Sequence, residues 1–331
     1  MGEQQTSTLS AKQLADRDGP EGFIGGSEIA TLAGHGYGSI IDLWRRKTRR
    51  TGPLEENRRM TWGNVLEAPI AALYAREQKV SIFRPGTMRH PEHPFIGATP
   101  DRIVIPNHKA RARKDWLRTL QVKTRGLRRA DDYAEGGYPM SDYDQVQWEL
   151  IVTGLQRGDL VALVGGQEDH LRIIEADTAY QAGLISIAED FWKNYILTDR
   201  EPAPDGSDDY SQHLRSRFPG PKKDVLLEPT DVTIGLRDQY VEASEQMDVA
   251  EQQKELVKQQ LMAIIGDSQG IETVATWKPT KGKTSIDWDA AFKRAAEEAG
   301  LTEEDQVKIL KQNTSTAPPG RTFRIAKQKN Q

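Results

Sequence analysis

Between Trp62 and Asp177 the hydrophobic period changes from helix to strand, back to helix, and again to strand, which leaves the chain few architectures. In WGNVLEAPIAALYAREQ, the residues Val65, Leu66, Ile70, Leu73 and Tyr74 make a helical stripe despite Pro69. VSIFR, FIGATPDRIVIP and TLQVKT follow as strand-like stretches rich in β-branched residues. YDQVQWELIVTG is helical, and LVALVGG and HLRIIEAD are strands again. This order predicts a mixed α/β core, a central sheet flanked by helices, because both element types can bury their apolar faces on one shared sheet.

Upstream, GGSEIATLAG and SIIDLWRRKT contribute Ile29, Leu32, Ala33, Ile41, Leu43 and Trp44, two short helical patterns separated by the glycine-rich GHGYG. Polar residues dominate residues 1–22, expected to be a flexible N-terminal segment, so the core is bounded at 23–200. Proline, glycine and charge cluster from Glu201 to Lys223, and a linker is expected over 201–223. Residues 224–331 then form a C-terminal helical, α+β accessory region. In it, Leu236, Tyr240, Ala243, Met247, Ala250, Val257, Leu261 and Ile264 predict one long helix to Ile265, suited to a hairpin or coiled-coil seam. ETVATWKP and RTFRIAK read as strands flanking a short WDAAFKRAAEEAG helix.

The 45 basic and 49 acidic residues nearly balance, so a polyanion partner would need a local basic patch. No cysteine is present, which excludes disulfides, thiolate metal sites, iron–sulfur clusters and thiol nucleophiles. No apolar run approaches the roughly 20 residues of a membrane span, and the N-terminus lacks a signal-peptide core. The expectation is a soluble intracellular protein.

Strand alternation puts Gln121 and Lys123 of TLQVKT on one face. Asp101 ends GATPD, where Thr99-Pro100 favours an extended turn before RIVI. Glu67 lies on the helical stripe, and Gln145 begins the QVQW helix, with Gln147 two residues on and off its face. Phosphodiester hydrolysis needs hard oxygen ligands for one or two Mg²⁺ ions and a cation near the phosphoryl oxygens. Asp101 could bridge two ions, the Val122 carbonyl could add a backbone ligand, Glu67 could be an outer carboxylate, and Lys123 could be the cation. Singly, each has an ordinary reading as a turn residue, a solvated lysine or a surface salt-bridge partner.

Taken in order, GGSEIATLAG, WGNVLEAPIAALYAREQ, FIGATPD, LQVKT and YDQVQWELIVTG resemble the phage-type recombination exonucleases of the YqaJ and lambda exonuclease group, within the restriction-endonuclease-like PD-(D/E)xK superfamily. The resemblance runs from about Phe23 to Ile196. It implies a Mg²⁺- or Mn²⁺-dependent double-strand DNA exonuclease with two ions, 5′-to-3′ polarity and DNA ends as substrate. It also implies a single-strand annealing recombinase as partner, a trimeric ring, and a bacterial host cytoplasm for a phage protein. It makes Glu67, Asp101, Gln121 and Lys123 the metal and catalytic set, Gln145 the glutamine of the next motif, and Ser27 a contact near the terminal phosphate. The lambda-type pattern also has an arginine shortly before that serine, and GPEGFIGGS has none.

Position 121 departs from the family in carrying an amide where a glutamate is usual. Two readings stay open: an exonuclease impaired by Gln121, and a catalytically weak DNA-end-binding scaffold that retains the fold. Around the site, NHKARARKDWLR supplies Arg111, Arg113 and Lys114, and KTRGLRR supplies Arg125, Arg128 and Arg129. These are either solvated loop charges or phosphate contacts. Trp116 either stacks on a base or packs under its own loop, and Trp44 and Trp148 are expected in the core.

Overall fold

The computed structural model describes residues 17–52, 56–220, 225–279, 285 and 287–315. The chain divides into two compact units, Met1–Arg217 and Phe218–Gln331. In the first, α1 (Gly26–Leu32), α2 (Ile40–Lys47) and α3 (Arg58–Glu77) precede the strands β1 (Ser81–Phe83), β2 (Met88–Arg89), β3 (Gly97–Ala98), β4 (Arg102–Ile105) and β5 (Arg118–Arg125). Then come α4 (Met140–Thr153), β6 (Arg157–Val164), β7 (Glu168–Glu175), α5 (Thr178–Phe191) and α6 (Asp208–Arg217).

The five-stranded sheet has the order β1-β4-β5-β6-β7. Its only parallel pair among the described residues, β5 with β6, is joined by α4, as a parallel crossover requires. Gly154 ends α4 with φ 71°, a left-handed cap that lets the chain turn directly into β6. The mixed α/β core expected from the sequence, a central sheet flanked by helices, is thus the observed one. FIGATPDRIVIP divides at Thr99-Pro100-Asp101: β3 pairs with β2 in a separate ribbon, and β4 enters the main sheet.

Strand alternation assigns the two faces. Leu120, Val122 and Val161 pack with Ile70, Ala71 and Tyr74 of α3. Leu160, Ala162 and Val164 pack with Val146 and Leu150 of α4. The buried row of α3 is Glu67, Ile70, Ala71 and Tyr74, at helical spacing. Val65, expected on that stripe, is exposed, so Glu67 lies on the inward face itself.

A third cluster joins Ile24, Ile29, Trp44, Ile96, Trp148, Phe191, Trp192 and Tyr210. The expected core positions of Trp44 and Trp148 are observed. The Trp148 indole N–H donates to the Ile24 and Gly97 carbonyls at 3.0 and 3.1 Å, fastening the segment before α1 to α4. Tyr210 corrects the linker expectation: inside 201–223, α6 forms and buries this ring, whose hydroxyl donates to Glu201 and to the Pro202 carbonyl, both at 3.0 Å. Arg17 to Gly22, expected within the flexible segment, instead form a turn in which the Phe23 N–H reaches the Arg17 carbonyl at 3.0 Å.

In the second unit, α7 spans Asp231–Ile265, five residues longer at its start than the apolar row indicates, because the Thr230 hydroxyl caps it by accepting from Thr233 N–H. ETVATWKP contributes only β9 (Ala275–Thr276), paired with β8 (Gly270–Ile271). Helix α8 (Trp288–Glu298) matches the WDAAFKRAAEEAG expectation, and α9 (Glu303–Asn313) follows it unforeseen. RTFRIAK lies outside the described residues.

Candidate active site

The site lies where the start of β4, the middle of β5 and the first turns of α4 meet. Gln121 and Lys123 point to the face that α4 covers, while Leu120 and Val122 between them face α3. Asp101 Oδ2 accepts from the Gln121 amide at 2.6 Å and from the Val122 N–H at 2.8 Å. Gln145 reaches down from α4: its Oε1 accepts from Lys123 Nζ at 2.5 Å, and its Nε2 donates to Gln121 Oε1 at 3.0 Å and to Glu149 Oε1 at 3.2 Å. A hydrogen-bonded chain therefore runs from the Asp101 carboxylate through two amides to the Glu149 carboxylate.

Four of the expected residues, Asp101, Gln121, Lys123 and Gln145, are brought together in this chain, and Val122 joins through its N–H, whereas the ligand expected of it is its carbonyl. Glu67 is held apart from it: its Oε1 accepts from the buried Arg102 guanidinium, which also donates to the Asp101 carbonyl. An ion-paired carboxylate on the α3 side is a poorer metal ligand than the outer role expected for it. Its charge still reaches Asp101. Burial, then the Glu67 charge, push Asp101 up to about 6, against Lys123, the Val122 N–H and Arg102.

Glu149 lies inside YDQVQWELIVTG but is not among the residues expected at the site, although its spacing could have found it. It sits four residues after Gln145, on the same helical face, whereas Gln147 points to the Glu175 carbonyl at 2.7 Å. Glu149 is 1% exposed, and its Oε2 has no hydrogen-bond partner among the described residues. Burial, then the Asp101 charge, raise its carboxyl well above the usual range, opposed by Lys123 and the Gln145 amide. Arg102, directly after FIGATPD, is likewise not among the residues expected at the site.

Ser27 is exposed in the first turn of α1. That turn lies against Gln145 so closely that a Cβ at Gly26 would come 3.0 Å from Gln145 Cγ, which accounts for glycine there. Upstream of GPEGFIGGS, Arg17 approaches Glu28 of α1 at 3.8 Å.

The basic residues divide into occupied and exposed groups. Arg113 donates to the Val152 and Thr153 carbonyls, both at 3.0 Å, and so caps the C-terminus of α4. Arg125 is paired with the buried Asp142 at 2.6 Å, and Arg129 with Asp132. Arg111 lies over Phe83, while Lys114 and Arg128 are exposed. Trp116 packs on Phe83 and donates to the Arg111 carbonyl at 3.1 Å, so it lies under its own loop. On α3, Met60 and Trp62 are exposed ahead of Glu67, a surface that no sequence pattern marks.

Residues 15–156 match the YqaJ-like viral recombinase domain family. The Bacillus subtilis (strain 168) protein YqaJ is 27% identical over 270 residues, 77% of this chain and 80% of that protein. Among solved structures, the alkaline exonuclease LHK-Exo from Laribacter hongkongensis is 19% identical with a TM-score of 0.45, covering 62% of this chain and 97% of that one. A phage related exonuclease from Haemophilus somnus 129PT is 12% identical with a TM-score of 0.38, covering 54% of this chain and 96% of that one. The match at 15–156 begins beside Arg17 and takes in β4, β5 and α4 through Glu149, so the cluster described above lies within the segment that is similar to the YqaJ-like viral recombinase domain family.

Proposed function

We propose that this protein is a divalent-metal-dependent exonuclease that resects double-stranded DNA ends, working 5′ to 3′ and feeding a single-strand annealing recombinase. The observation that carries the reading is the convergence of Asp101, the Val122 backbone, Lys123 and Gln145 within one hydrogen-bonded cluster in a recombinase-type domain.

The residues present fit a divalent ion in their chemistry. Asp101 is a buried carboxylate and Glu149 presents a buried oxygen with no hydrogen-bond partner among the described residues. Among those residues no three His, Asp or Glu side chains gather as a metal-holding group, so the acidic complement suits one ion better than the two expected from the family. Asp101, the Val122 carbonyl and the Gln121 amide oxygen would hold it. When bound, it would supply Lewis-acid polarisation of the scissile phosphate and an activated water.

This chain's own groups do the rest. Lys123, oriented by Gln145, puts a positive charge where phosphoryl oxygens gain negative charge. Arg102 offsets part of the Glu67 charge and so weakens its repulsion of the phosphate. Ser27, Arg111, Lys114 and Arg128 are exposed and suit phosphate contacts.

The test is release of nucleotides from 5′-phosphorylated linear duplex with Mg²⁺. Wild type should be active, EDTA should stop it, and Asp101→Asn should abolish turnover while the protein stays folded. Wild-type rates in Asp101→Asn would overturn the assignment. Gln121 favours one second reading, since an amide removes a full charge from the site: inactivity of the wild type with tight binding to DNA ends would identify an end-binding scaffold.

A further inference from the structure

We propose that Glu149 supplies the carboxylate that position 121 lacks, so that the acidic pair holding the metal is Asp101 with Glu149, the second carboxylate coming from α4 instead of β5. This rests on the reading of the cluster as a metal-dependent nuclease site.

The observations are geometric. Gln145 and Glu149 stand one helical turn apart on the α4 face that covers β5, and the Gln145 side chain touches Gln121, Lys123 and Glu149 at 3.0, 2.5 and 3.2 Å. At the other end of the same chain, Gln121 holds Asp101 at 2.6 Å. Both carboxylates thus end one hydrogen-bonded chain, with two amides between them.

Glu149 is a costly residue to keep there for structural reasons alone. It is 1% exposed, one oxygen receives a single N–H from Gln145, and Oε2 has no partner among the described residues. Ionised, that oxygen lacks a donor; protonated, it lacks an acceptor. Either state leaves a buried polar group unpaired, which costs about 1–3 kcal/mol. Methionine would fill the same volume with no polar atom to satisfy. A divalent cation beside Oε2 removes the deficit.

No other carboxylate of the cluster is better placed. Glu67 belongs to Arg102, and the nearby Asp142 and Asp159 are committed to Arg125 and to Arg118 with Arg157. The amide at 121 becomes intelligible on the same grounds. A glutamate there would face Asp101 at hydrogen-bond distance, and with Glu149 already present the pocket would carry three anions around one lysine. The charge has changed its element while the pocket has kept its number of carboxylates.

The experiment uses the full chain without DNA. Mn²⁺ binding is measured by calorimetry and by the electron paramagnetic resonance of free Mn²⁺, and melting temperature is recorded with and without the ion. Glu149→Gln should melt at the wild-type temperature or higher when metal-free, since a buried carboxyl that faces the charge of Asp101 is gone. Its Mn²⁺ affinity should fall by more than about tenfold, because even outer-shell groups are worth that much. The relocated variant Gln121→Glu with Glu149→Gln should recover binding to within a few-fold of wild type.

Wild-type affinity in Glu149→Gln overturns the proposal, and so does a loss that relocation fails to repair in a protein of unchanged melting temperature. A lower metal-free melting temperature in Glu149→Gln also counts against it, marking a structural role. If Asp101→Asn loses Mn²⁺ while Glu149→Gln does not, only this inference fails. If the wild type binds no Mn²⁺, the nuclease reading fails with it.

Discussion

Lys123 and Gln121 share a strand face but contribute differently. One cation among several adds little to the grip on DNA, yet Lys123 stands beside the Asp101 pocket, where a transition state would need charge. Lys123→Ala is expected to lower turnover by about a hundredfold while leaving duplex affinity within a few-fold. Equal losses in binding and rate would reduce it to a phosphate contact. Gln121→Glu replaces a donated hydrogen bond to Asp101 by a like charge, so in EDTA it should lower stability by about 1–2 kcal/mol, and Mg²⁺ should restore it. An unchanged melting temperature in EDTA would mean that the new carboxyl takes up a proton. The period-two alternation of TLQVKT is enough to pair these side chains on one face. The spacing of Glu149 puts it on the face of Gln145, but its meaning depends on burial and on an oxygen left without a partner, neither of which a helical pattern encodes.

At the scale of elements, period shifts and turn residues mark α3, β5, α4, β6 and β7, since each buries a face with its own spacing. What they do not reveal is which basic residues serve the fold. Arg113 looks like its neighbours in ARARK, yet it stacks over Trp116 and donates to the last carbonyls of α4, where a cation is favoured by the helix dipole. Arg113→Ala should destabilise the protein by about 1 kcal/mol with little change in the salt dependence of DNA binding. Neutralising Arg111, Lys114 and Arg128 together should do the reverse: little change in melting, but a flatter log–log salt slope, by up to about 0.9 for each phosphate no longer neutralised. An unaltered slope would return these three to solvated loop charges. The boundary of α6 is hidden for a related reason, because a charged, proline-flanked stretch can still bury one tyrosine.

The whole first unit is held at its N-terminal end by charge as well as by apolar packing. Glu28 is buried with Lys47 at 2.9 Å, Arg46 at 3.3 Å and Arg17 at 3.8 Å, and its Oε2 accepts the Gly25 N–H at 2.8 Å. Burial pushes this carboxyl up, but Lys47, Arg17, Arg46 and the Gly25 N–H together outweigh it and hold it at about 2. A depressed carboxyl stabilises the fold above its unfolded value near 4.5, and the contribution is lost as pH falls toward 2. Glu28→Gln should therefore cost on the order of 3 kcal/mol at neutral pH, with the gap to wild type closing between those two values. A gap independent of pH would assign the loss to packing.

The other end of that unit offers a sharper test of where it stops. All three apolar clusters among the described residues lie before Arg217, and Tyr210 belongs to one of them together with Trp44, Trp148 and Phe191. Ending the chain after Arg217 should thus preserve a single cooperative transition within a few degrees of the full-length value, with Mn²⁺ binding unchanged. Ending it after Arg200, where a composition-based boundary would cut, removes the Tyr210 ring from its cluster, its bonds to Glu201 and Pro202, and the pairing of His213 with Glu201 at 3.2 Å. Loss of a buried aromatic costs about 3–5 kcal/mol. Chemical denaturation of the two truncated proteins measures the difference directly. Equal midpoints would mean that α6 is an ornament on the unit; a midpoint lowered only in the shorter protein makes α6 its last structural element.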